Sequence, residues 1–165
     1  VLSLPPEVDR RLRRIPWFEA CGSAFDLFPG IKQQIESVDS WQAAARCCVE
    51  DTWEHATAEA QAALTVRLTE KFPSEAVQWN ALAHAARALV RREVGPAIDR
   101  VMSEHHLPKA FRDCVEWDVL HALMEEAYAA QVPSAFFRQL LIIYEAGHWP
   151  CGWVGEWPAG KLLVL

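Results

Sequence analysis

Apolar positions in this chain recur mostly three and four residues apart, and that spacing predicts helices over most of its length. Val8, Leu12 and Ile15 mark a short first helix, and Pro16 ends it. Trp17, Phe18, Cys21 and Phe25 then surround Gly22 and Ser23, an apolar loop suited to lie under another element. Between Leu27 and Val38 two readings compete. Ile31, Ile35 and Val38 fit a helical stripe, whereas the β-branched residues and Pro29-Gly30 fit a strand. A strand near 31–37 is preferred, because a third strand steadies a hairpin that is marginal alone.

A cap at Asp39 or Ser40 opens a helix over 40–49. The next helix, 50–71, carries Trp53, Ala56, Ala60, Leu64 and Leu68 on one side. Phe72-Pro73 breaks it, and Ser74 starts a helix over 74–93 with Trp79, Leu82, Ala86, Leu89 and Val90 as its stripe. Gly95-Pro96 interrupts, and Ala97 to His106 continues as helix until Leu107-Pro108. The helix over 109–131 is apolar nearly all round, with Trp117, Leu120, Met124 and Tyr128 on one face and Phe111, Val115 and Ala122 on another. That pattern predicts a central helix. Pro133 ends it, and Ser134 caps one further turn through Phe136 and Phe137.

The last thirty residues read differently. Leu140 to Ala146 and Leu162 to Leu165 read as strands, apolar on both faces. They flank a connection of roughly fourteen residues, Gly147 to Gly160, much longer than an ordinary hairpin loop. The predicted fold class is therefore α+β and mainly helical, with helices packed around a small antiparallel sheet that includes a C-terminal β-hairpin-like unit. An all-α bundle is the alternative. The length fits a single domain spanning 1–165.

Composition narrows the function. The formal net charge is −6, which argues against a general nucleic-acid or anionic-membrane surface. The basic group Arg10, Arg11, Arg13 and Arg14 sits on the first helix and reads as a solvated face. No apolar run reaches membrane-span length, and no secretory leader is visible. The cysteines are odd in number and include no Cys-x-x-Cys pair, so reduced thiols in the cytoplasm are expected.

The candidate chemistry clusters near the C-terminus. Trp149, Trp153 and Trp157 either cover the open side of the sheet or line a partner-binding face, where Trp is enriched. His148 and Cys151 are half of a zinc pattern or a thiol–imidazole pair, and a packed cysteine is the simpler reading. With Tyr144 and Glu145 they complete the candidate binding surface: Tyr144, Glu145, His148, Trp149, Cys151, Trp153 and Trp157. Asp118, His121 and Glu125 share a helix face, a weaker metal candidate holding half of a di-metal bundle motif. Phosphate-loop, dinucleotide, nucleophile-elbow and His-Glu-x-x-His signatures are absent. No cofactor is expected.

The function expected from sequence is a cytosolic, non-catalytic protein-binding module, an adaptor or immunity-like protein whose partner is another protein. A small-ligand binder or enzyme built on the Trp-rich loop is the first alternative. A metal-binding helical protein is the second.

Overall fold

A computed structural model describes residues 4–20, 22–24, 34–71, 76–128 and 136–165. Among the described residues there are seven helices and three strands. The helices are α1 (Pro6–Leu12), α2 (Trp41–Cys47), α3 (Asp51–Lys71), α4 (Ala76–Glu93), α5 (Gly95–His105), α6 (Lys109–Tyr128) and α7 (Phe136–Glu145). The strands are β1 (Ile35–Ser37), β2 (Pro150–Val154) and β3 (Lys161–Val164).

Local chemistry explains most helix starts and stops. The Ser40 hydroxyl accepts the Ala43 N–H at 3.2 Å and so caps α2. Gly95-Pro96 does not merely break a helix; it begins α5, where the proline's missing N–H is harmless. His106 closes α5 in the left-handed conformation, φ 53°. On α3 the predicted stripe Trp53, Ala56, Ala60, Leu64 and Leu68 is buried throughout. On α4, Leu82, Ala86, Leu89 and Val90 are buried, while the Trp79 side chain lies outside the described residues.

Helix α6 is central, as its all-round apolarity predicts. It packs against α1, α3, α4, α5 and α7, and Phe111, Val115, Val119, Ala122 and Leu123 are almost wholly buried. One residue departs from the expected core face. Trp117 remains 41% exposed, with its ring over His121 at 4.2 Å.

The strands form one sheet in the order β1-β3-β2. Strand β1 runs parallel to β3, with Ile35 opposite Leu162, so the sheet is mixed and not purely antiparallel. Strands β2 and β3 are antiparallel, with Trp153 opposite Leu162. The β1 position confirms a third strand beside the C-terminal hairpin, although residues 31–33 of that expectation lie outside the described residues.

The main correction concerns 136–160. Leu140 to Ala146 is not a strand but the body of α7. Its buried residues Phe136, Phe137, Leu140, Leu141 and Tyr144 recur at helical spacing, and Arg138, Gln139, Ile142 and Glu145 face outward or partly so. The helix stops in a Schellman motif: the Gly147 N–H donates to the Tyr144 carbonyl at 2.9 Å and the His148 N–H to the Ile143 carbonyl at 3.2 Å. Gly147 takes φ +82°, and a Cβ there would lie 2.8 Å from the Ala20 nitrogen. The first hairpin strand is instead Pro150–Val154, inside the stretch expected to be loop.

A groove walled by Trp153 and Trp157

The seven residues of the expected C-terminal surface do not share one surface. Trp149 is core: 1% exposed, stacked on Trp41 at 5.7 Å and edge-on to Phe111 at 4.7 Å. Tyr144 is fully buried against Trp17 at 5.3 Å, and among the described residues its hydroxyl has no hydrogen-bond partner. His148 is buried, with Nδ1 3.0 Å from the Leu165 carbonyl. Cys151 is buried, and its thiol donates to the Leu163 carbonyl at 3.5 Å. Burial pushes the Cys151 thiol well above its ordinary pKa, so it is held as the poorly nucleophilic thiol. The Cys151 thiol thus turns to the β3 backbone and His148 Nδ1 to the Leu165 carbonyl just beyond it, while among the described residues the buried His148 Nε2 has no hydrogen-bond partner. Glu145 points the other way. It is clamped by Arg11, whose Nη2 donates to Oε2 at 3.0 Å, at the rim of a different groove lined by Arg10 and Arg14.

Asp118, His121 and Glu125 all face inward, as the metal reading requires, but they do not converge. The His121 Nδ1–H donates to the Trp117 carbonyl at 2.8 Å, and burial lowers the imidazole's pKa, which favours the neutral ring. Glu125 pairs with Arg67 of α3, and its Oε2 accepts the Arg138 N–H at 2.9 Å in the first turn of α7. Asp118 is 1% exposed, and among the described residues neither carboxyl oxygen has a hydrogen-bond partner. Burial, with the nearby Cys114 thiol adding to it, raises the Asp118 pKa well above the usual range and favours a neutral carboxylic acid. Among the described residues no three His, Cys, Asp or Glu side chains are gathered as a metal requires.

Two of the expected residues do reach an open site. Trp153 and Trp157 line a groove of about 460 Å³ together with Asp51, Thr52, His55, Gly155 and Glu156. Strand β2 delivers Trp153, and the turn between β2 and β3 delivers Gly155, Glu156 and Trp157. The N-terminal part of α3 supplies Asp51, Thr52 and His55. The two indoles meet at 5.1 Å with a 54° tilt. Behind them Phe136 touches Trp157 at 5.2 Å, Trp153 at 6.1 Å and Trp53 at 5.8 Å. This backing fixes the indoles: Trp153 is 9% exposed, while Trp157 stays half-buried.

Glycines make the turn possible. Gly155 takes φ +92°, a conformation that disfavours any side chain. A Cβ on Gly160 would fall inside contact distance of the Val154 carbonyl oxygen and the Trp153 indole nitrogen. The Trp153 ring thus lies directly over the Gly160 backbone.

The electrostatics of the groove are one-sided. Asp51 and Glu156 are exposed, and no Lys or Arg lines the site. Among the described residues neither carboxylate has an ion-pair partner. The tryptophan pair was legible in the sequence as a motif. Asp51, Thr52 and His55 were not, because nothing in the order of residues announces that the start of α3 faces the β2–β3 turn. A comparison of this chain with protein-family models, with curated proteins and with solved structures finds no match.

Proposed function

We propose that this protein is a non-catalytic binding module and that it meets a protein partner through the Trp153–Trp157 groove. One observation carries the reading. Two rigidly backed indoles open beside two carboxylates that have no counter-ion among the described residues. Indoles held in place by their neighbours lose little entropy on contact, which is why Trp dominates the energetic centre of many interfaces. The buried, hydrogen-bonded state of Cys151 and His148 supports a role without covalent chemistry. The free thiols of Cys47, Cys48, Cys114 and Cys151 support a reducing compartment such as the cytoplasm. Among the described residues no helix is long and apolar enough to cross a membrane.

The reading is tested by placing a photo-reactive residue at position 156 and, as a control, at Glu104, an exposed side chain of α5. In the native host, position 156 is expected to cross-link one defined protein, and Trp157→Ala in the same chain to abolish that product. The same diffuse background from both positions would overturn the reading.

A further inference from the structure

The chemistry of the groove also specifies what enters it. We propose that its occupant is a cationic side chain, an arginine guanidinium or a lysine ammonium, presented on an exposed segment of the partner. This inference rests on the binding-module reading above and names the partner chemistry of that same groove.

Three observations converge. Trp157 keeps part of its indole exposed at the groove, with the nearly buried Trp153 packed beside it, and Trp is the strongest aromatic partner for a cation. Two carboxylates join the same lining from different elements, Asp51 from α3 and Glu156 from the β2–β3 turn, so the groove carries negative charge from both. No lysine or arginine of the lining competes for either carboxylate. The opposite choice, an anionic occupant, would face two uncompensated negative charges. A purely apolar occupant would leave Asp51, Thr52, His55 and Glu156 facing it without polar partners.

The cation reading also agrees with the charge of the whole chain. A net charge of −6 draws a basic partner toward the protein at long range and speeds encounter, and the effect weakens with added salt.

The test uses the full chain and four peptides of equal length: Arg-Gly repeats, Lys-Gly repeats, citrulline-Gly repeats and Glu-Gly repeats. Binding is read from the indole N–H resonances of Trp153 and Trp157 and from calorimetry. The Arg or Lys peptide is expected to bind and to shift those two resonances. The neutral citrulline peptide and the acidic peptide are expected not to bind. Glu156→Gln with Asp51→Asn, and separately Trp157→Ala, are each expected to weaken binding about tenfold. All of these positions lie at the groove, and among the described residues neither carboxylate has an ion-pair partner; Asp51 also sits in the first turn of α3, so Glu156→Gln alone serves as the variant that leaves the helix start intact.

Equal binding of the citrulline peptide would overturn the inference, since shape without charge would then suffice. So would cationic binding that the variants leave unchanged, because the attraction would then lie elsewhere on the acidic surface. Self-association that Trp157→Ala reverses would assign the groove to a second copy and likewise overturn it. If no peptide binds but the cross-link at 156 still depends on Trp157, the binding module stands and the cationic occupant falls. If both fail, both readings fall.

Discussion

Glu125 and Arg67 join α6 to α3 through an ion pair whose carboxylate is 1% exposed. The same carboxylate accepts the Arg138 N–H, so one side chain ties a neighbouring helix and caps the start of α7. Removing it strands a charge and an amide together. Arg67 keeps some exposure to solvent, so Glu125→Ala is expected to destabilise the fold by about 1–3 kcal/mol, below the cost of breaking a fully buried pair. Glu125→Gln, which keeps an acceptor for the amide, is expected to cost less. Urea unfolding of both variants checks the order.

Asp118 predicts the opposite sign. Its carboxyl oxygens have no hydrogen-bond partner among the described residues, so replacing it with an apolar residue removes a desolvation cost. Asp118→Leu is expected to be neutral or stabilising, by up to about 3 kcal/mol. The pH dependence follows from the raised pKa. The native state holds this proton more tightly than the unfolded chain, so its contribution is fully present below the unfolded pKa, about 4. It is lost as pH rises from there toward the folded value. Stability measured upward from pH 4 should fall less steeply in Asp118→Leu than in the parent, and identical slopes would contradict the assignment.

Gly160→Ala tests the turn. The added methyl meets the Val154 carbonyl and the Trp153 ring, neither of which is a flexible side-chain end. An expected loss of about 1–3 kcal/mol comes with a shift in tryptophan emission as Trp153 is displaced. An unchanged spectrum and melting temperature would show that the turn is not held as described.

The thiols should react in an order set by burial. Cys47 is half-buried, whereas Cys48 and Cys151 are buried. Cys114, though half-buried, donates its S–H to the Cys48 carbonyl at 3.0 Å. Among these four thiols, iodoacetamide on the native protein is expected to label Cys47 first and Cys151 only on unfolding. Peptide mapping by mass spectrometry reads this directly, and early labelling of Cys151 would reopen its candidacy as a nucleophile.

Helices with a clear stripe and a stop signal were legible before any coordinates: α3 and α4 fall within a few residues of expectation, and the Ser40 cap is real. Helix α7 was misjudged for a definable reason. Its run Leu140-Leu141-Ile142-Ile143 is apolar on both faces, and over so short a span continuous apolarity does not separate strand from helix. The decisive signal was Gly147, a helix terminator that also looks like the start of a loop. The candidate site divides the same way. Sequence proximity grouped seven residues from Tyr144 to Trp157, but one helix turn and one strand send alternate members inward, outward and toward α1. Only Trp153 and Trp157 stay together. Their partners come from α3, about a hundred residues earlier in the chain, and that distance is bridged by packing and not by pattern.

The order of the sheet has a consequence for biosynthesis. Strand β3 lies between β1 and β2, yet it follows both along the chain. While a ribosome is still translating α2 to α7, β1 has neither hydrogen-bonded neighbour nor sheet to join. At usual elongation rates that interval lasts on the order of ten seconds. The helices can begin to assemble in this time, but the sheet is templated only when Lys161–Val164 emerges and slots between two waiting edges. A chain ending just short of Lys161 and freed from the ribosome would therefore display two unsatisfied strands, and such a truncated species is the one a chaperone is expected to recognise.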